Sequence, residues 1–218
     1  MMPAKRKVDN LLALAILSVI AERPMHRYEI ASKLRERGKD RDMDIKWGSL
    51  YTVVRNMVKA GFLEEVGSER QGGRPERVIY RITPAGQAEM TDWTKELLAE
   101  PRAERSAYTA GLSVTALLPP DEVAELLDAR ITALETIIAG VRAELDALAG
   151  TLPRLFLIET EYGLAMLEAE VAWTRGWRAE LLDGTFPDLE MWRNIHAGGF
   201  TPGTAVAAVE RGMHQSSS

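Results

Sequence analysis

The spacing of apolar positions changes several times along this chain of 218 residues, and each change marks an element. Leu11, Leu12, Leu14, Ile16, Leu17, Val19 and Ile20 are apolar nearly all round a helix. Such a helix belongs in a core or a subunit interface rather than on a surface. Asp9 stands where a capping residue is needed, and Pro24 ends the region. Ile30, Ala31 and Leu34 then recur opposite Lys33, Arg35 and Arg37, predicting a second helix over residues 28–37. Gly38 and the charged run 39–44 read as a turn. Leu50, Val54 and Met57, with Val53 alongside, predict a third helix over 48–60, closed by Gly61.

Beyond Gly61 the period drops to two. Residues 62–68 and 77–82 are β-prone, with Val78 and Tyr80 alternating against Ile79 and Arg81. Gly72-Gly73 between them permits a turn with positive φ. Thr83-Pro84 restarts a helix, a capping residue followed by proline in the first turn, running to about residue 98 and carrying Trp93. A helix followed by a hairpin with a glycine-rich, arginine-bearing tip is the order of a winged helix–turn–helix module.

The rear half has another rhythm. A shorter apolar segment, 108–118, leads to Pro119-Pro120-Asp121-Glu122, with proline and carboxylates at a helix start. Leu127, Ile131, Leu134, Ile138, Val141, Leu145 and Leu148 follow in strict 4–3 alternation, a coiled-coil seam. Gly150 and Pro153 end it. A helix of about 29 residues is roughly 43 Å long, and each seam residue contributes about 1.5–3 kcal/mol when buried. A second long helix over 153–182 offers a partner. Ala165, Ala169, Ala172 and Gly176 form a small-residue stripe, and Leu155, Ile158, Tyr162, Met166, Trp173 and Trp177 form an adjoining face. The expected fold is mainly α: a winged helix–turn–helix domain with a two-stranded wing over 8–99, and long antiparallel helices forming a dimerisation domain over 100–184. An irregular arm and flexible tail follow over 185–218. Self-association is expected through the seven seam residues together with Tyr162 and Trp173.

Net charge is −5, which by itself disfavours nucleic acid. The average conceals an asymmetry. Residues 1–95 hold 18 Lys and Arg against 13 Asp and Glu, leaving 9 basic and 19 acidic residues for the remainder. A basic front joined to an acidic rear suits a duplex reader fused to a protein-contact domain. The chain has no cysteine, which excludes disulfides and thiolate metal sites and fits a reducing, cytoplasmic setting. No apolar run is long enough to span a bilayer, so no membrane partner is expected. The basic start Lys5-Arg6-Lys7 before an apolar run superficially resembles a signal peptide, but no small-residue cleavage site follows.

Tyr51, Thr52, Arg55, Asn56 and Lys59 lie off the apolar stripe of the third helix. Arg and Asn suit base edges, and Tyr, Thr and Lys suit phosphates. Arg70, Arg74 and Arg77 cluster at the hairpin tip with no hydrophobic role. An enzyme is a poor alternative. The three histidines (His26, His196 and His214) are far apart without metal-ligand spacing, and Gly72-Gly73 leads into a strand rather than a phosphate-cradling helix. Neither catalytic residues, nor a metal, nor a cofactor are expected. The remaining rival is a coiled-coil adaptor whose winged helix contacts protein.

The blocks His26-Arg27-Tyr28-Glu29-Ile30, Gly48-Ser49-Leu50-Tyr51, Ala60-Gly61-Phe62-Leu63, Gly73-Arg74-Pro75 and Tyr80-Arg81-Ile82-Thr83-Pro84-Ala85-Gly86 resemble the PadR family of bacterial transcriptional regulators. Their full spacing is kept over residues 8–95. Glu161-Tyr162-Gly163 and Glu168-Ala169-Glu170-Val171-Ala172-Trp173 look like the longer virulence-regulator-type C-terminal domain of one subgroup. The resemblance implies a dimeric repressor or activator on a palindromic DNA operator, with family contacts carried to Tyr28, Ser49, Tyr51, Arg55 and Arg74. The chain departs from many relatives at His26 and Arg27, where a glycine is common, and at Thr52-Val53-Val54. Base preference therefore does not transfer. Some members bind planar drugs or phenolic acids between dimer helices. Trp93 lies in a comparable helix; filling a core gap is its simpler reading, and an aromatic shelf that makes it the candidate ligand-binding residue for a small aromatic effector is the other.

Overall fold

The computed structural model describes residues 6–39, 46–69, 77–101, 106–197 and 203. The chain divides into two compact units, Met1–Ala103 and Glu104–Ser218. No helix among the described residues is long and apolar enough to cross a membrane.

Helix α1, Leu11–Ile20, is the hub of the first unit, buried at eight of its ten positions. It packs on α2 (Arg27–Glu36), α3 (Leu50–Ala60), α4 (Pro84–Ala99) and the hairpin strand β3 (Arg77–Ile82). Its cap is Asn10, not Asp9: the Asn10 side chain accepts from the Leu12 N–H at 2.9 Å. Either residue type can supply the oxygen, so sequence spacing alone did not separate these neighbours.

The expected two-stranded wing is present, and a short third strand joins its sheet. Strand β1 is Met25–His26 and β2 is Leu63–Glu69. Their order is β1-β3-β2, all antiparallel, with Met25 opposite Tyr80 and Leu63 opposite Ile82. A two-residue strand carries no period and is invisible to pattern reading. A bulge between Glu65 and Gly67 adds local twist to the wing.

Two helix starts in this unit are set by side chains. His26 Nδ1 accepts from the Glu29 N–H at 3.1 Å and opens α2. Thr83 Oγ1 accepts from the Gly86 N–H at 3.0 Å and opens α4. At the other end of α3, Gly61 takes φ +79°, a left-handed conformation that ends the helix and turns the chain into β2.

In the second unit α5 (Ala107–Leu112) and a 3-10 turn precede α6 (Pro120–Leu148), and α7 (Ile158–Asp183) returns alongside. Ion pairs Asp128–Arg178 and Arg142–Glu168 run in opposite chain order, so the two long helices are antiparallel. The seam of α6 is spent mainly within this chain. Ile131, Leu134 and Ile138 are buried with Val171, Leu164 and Leu167 of α7. Leu127 is buried with Leu181, Leu189 and Trp192. Val141, Leu145 and Leu148 stay half-buried. Four of the seam residues expected at the dimer contact, Leu127, Ile131, Leu134 and Ile138, are therefore packed within this chain.

The packing face of α7 also differs from the one expected. Leu164, Leu167, Val171, Thr174 and Leu181 face α6 and its neighbours, whereas Ala165, Ala169, Ala172 and Gly176 are exposed. Large side chains win the inner face because they bury more area per position. Leu189–Ala197, expected as irregular, forms helix α8. Trp192 is buried there and donates from Nε1 to the Leu118 carbonyl at 2.9 Å.

Candidate nucleic-acid interface

Helix α3 separates its residues cleanly. Val53, Val54 and Met57 are buried in the core of the first unit, and Tyr51, Thr52, Arg55, Asn56 and Lys59 are all exposed. The five sequence-nominated side chains therefore share one solvent face. Ser49 is half-buried, and its hydroxyl donates to the Lys46 carbonyl at 2.7 Å, closing the 3-10 turn Trp47–Ser49 before α3. Its proton is committed locally, leaving only acceptor capacity for another partner.

Tyr28, 73% exposed, stands at the start of α2. Its ring meets His26 edge-on, with centroids 6.4 Å apart, and the Arg77 guanidinium lies 5.6 Å from its centroid. Arg27, next to it, sits 4.2 Å over the ring of Tyr51 on α3. Tyr28, Tyr51 and Arg77 are thus brought to one neighbourhood, linked by cation–π contacts worth about 0.5–1 kcal/mol each at exposed sites. Arg70 and Arg74 lie outside the described residues.

The described arginines of this unit fall into two groups. Arg6 is paired with Glu89 and Glu96, Arg23 with Glu29, Arg37 with Glu22, and Arg81 with Glu64. Arg27, Arg35, Arg55 and Arg77 have no carboxylate partner among the described residues, and Arg35 instead stacks 4.1 Å over Trp47. Burial works to lower the Arg6 pKa, and hydrogen bonds to the two glutamates override it, leaving it raised. The hydrogen bond from Arg23 holds the Glu29 carboxyl below its ordinary range, and burial opposes this only in part. Burial pushes the Tyr80 phenol up. Positive charge is thus neutralised on the structural arginines and left available around α3. Pattern reading missed Arg27 and the Arg35–Trp47 pair, because each contact joins residues from different elements.

Trp93 is corrected. It is 1% exposed, packed inside the core of the first unit with Arg6 5.1 Å above its ring. It fills a core position and offers no open shelf to a planar ligand.

The geometry agrees with comparisons to known proteins. Residues 16–92 match the Transcriptional regulator PadR-like family. The chain is 28% identical over 174 residues to the probable transcriptional regulator Rv1176c of Mycobacterium tuberculosis, covering 76% of this chain and 88% of that protein. Over residues 16–92 the chain thus resembles the PadR-like transcriptional regulators. That family and this relative are regulators rather than enzymes. The PadR-like fold is shared with Bacillus subtilis PadR solved in complex with operator DNA. That match has a TM-score of 0.65 at 17% identity, covering 79% of this chain and 99% of that one. The same B. subtilis protein in complex with p-coumaric acid matches with a TM-score of 0.62 at 18% identity, again over 79% and 99%.

Proposed function

We propose that this PadR-like regulator is a homodimeric repressor that places α3 of each copy in successive major grooves of a palindromic operator. The observation that carries the reading is the exposed face of α3, where Tyr51, Thr52, Arg55, Asn56 and Lys59 project together from a helix whose other side is locked into the core. Arg55 and Asn56 suit base edges, while Tyr51, Thr52 and Lys59 suit phosphates. Tyr28 and Arg77 extend the surface, and Ser49 contributes only as an acceptor. Half-sites about 34 Å apart follow from two-fold pairing on B-form DNA. The operator complex of B. subtilis PadR supports operator DNA as the partner of a chain of the same fold.

The dimer contact is assigned to the outer face of α7. Ile158, Tyr162, Met166 and Trp173 are exposed there at near-helical spacing, beside the small-residue stripe 165, 169, 172 and 176. An exposed apolar stripe of this length on a helix already packed on its other side calls for a second partner. We assign release of the DNA to a small aromatic effector; the p-coumaric acid complex of the same B. subtilis protein supports the binding of such a ligand to this fold. Trp93 plays no part in that step.

The test is titration of the purified chain against the DNA upstream of its own gene, with excess random duplex as competitor. Competitor-resistant binding of two chains per site supports the proposal. Equal affinity for both DNAs leaves only an architectural role, and binding to neither favours the protein-contact adaptor.

A further inference from the structure

Stacking holds a guanidinium by its face. The N–H donors of arginine lie in the plane of the group and project from its edge, so a stacked arginine keeps its hydrogen-bonding capacity unspent. Arg27 is held over Tyr51, on α3 itself, and Arg35 over Trp47, in the turn that leads into α3. Trp47 is packed against the core of the unit, so that brace is anchored. Neither guanidinium has a carboxylate partner among the described residues, unlike Arg23 and Arg37 at the two ends of the same helix region. A cation already fixed in place loses less freedom when it gains a partner. The partner chemistry that its planar fork matches is an anion with two accessible oxygens, as in a phosphodiester.

We propose that Arg27 and Arg35 are pre-set contacts to two separate phosphates of a duplex lying against α3. Eight positions apart on α2, they are separated by roughly 12 Å along the helix axis, too far to share one phosphate. This assignment rests on the DNA-binding reading above and adds two positioning residues to it. Their work is to fix the register of α3 on the backbone, without reading sequence.

The test uses the full chain and a short mixed-sequence duplex, with affinity measured over a series of KCl concentrations. Arg27→Ala and Arg35→Ala should each reduce the steepness of log K against log[KCl] by about 0.9, and the double variant by about 1.8. Circular dichroism and melting should match the parent chain. Arg27→Lys should keep the slope and lose affinity several-fold, because an ammonium lacks the planar stack. Arg37→Ala, which removes an arginine already engaged by Glu22, should leave the slope unchanged. A full loss of slope there would mean that the readout follows net charge alone, and would overturn the assignment. Parent-like slopes in both Arg27→Ala and Arg35→Ala, with the parent chain binding normally, would also overturn it. A parent chain with no salt-dependent binding would instead remove the DNA reading itself.

Discussion

Gly86 lies directly against Phe62: a Cβ built on Gly86 would stand 2.2 Å from the Phe62 carbonyl oxygen and 3.0 Å from Ile82 Cγ1. The contact seats the first turn of α4 on the junction between α3 and β2, where Thr83 also donates from its hydroxyl to the Gly61 carbonyl at 2.6 Å. The obstructing atom is backbone, so it cannot swing aside. Gly86→Ala should gain up to about 1 kcal/mol of helix propensity. Overpacking should cost more, about 1–3 kcal/mol or beyond. Urea unfolding should therefore show net destabilisation, and a variant at least as stable as the parent would refute the close approach.

Glu29 gives an acid-side prediction. Its folded pKa is held below the ordinary 4.5 chiefly by the hydrogen bond from Arg23, so the unfolded chain binds its proton more readily. The stabilisation is therefore complete above about pH 4.5 and is lost as pH falls through the lower folded value. Glu29→Gln should be less stable than the parent at neutral pH, with the gap narrowing on acidification below 4.5. The effect should be modest, since Arg23 is half-exposed. A gap independent of pH in denaturation curves would contradict the pairing.

What could be read in the sequence was what depends on one element at a time. The 4–3 alternation from Leu127 to Leu148 predicts the long helix, and the structure places it at Pro120–Leu148. Likewise, the buried stripe Val53, Val54 and Met57 defines its complement, and that complement is the exposed face of α3. Features that depend on two elements were hidden. The seam of α6 can meet another subunit as well as α7, and no local period announces that Ile131 and Leu134 are buried with Val171 of α7. Trp93 reads as shelf or core filler until the first unit closes around it. Helix α8 depends on Trp192 reaching the Leu118 carbonyl 74 residues away, which no local period announces.

The division of labour in the second unit can be separated by mutation. Leu134 is buried between the long helices, so Leu134→Ala should destabilise the unit by about 2–5 kcal/mol in thermal or chemical unfolding. Tyr162 is 66% exposed on the opposite side of α7, and Tyr162→Asp should leave that packing intact. If the outer face forms the dimer, Tyr162→Asp should shift sedimentation equilibrium toward monomer while helicity stays unchanged. A dimer unaffected by aspartate at Tyr162, and equally at Met166, would move the contact elsewhere.

Arg55 and Arg27 should differ in kind. Both guanidiniums lack a carboxylate partner among the described residues, but Arg27 is held over a ring while no aromatic brace is seen for Arg55 on the open face of α3. A side chain that must reach into a groove needs that freedom, whereas a backbone clamp gains from being fixed. Arg55→Ala should therefore narrow the gap between operator and random DNA by about 1–3 kcal/mol, the range for loss of a bidentate base contact. Arg27→Ala should weaken both DNAs equally, because phosphates are the same in every sequence. Parallel titrations on the two duplexes measure the difference. Equal losses for Arg55→Ala on both would reassign it to the backbone, leaving Asn56 as the remaining base reader on that face.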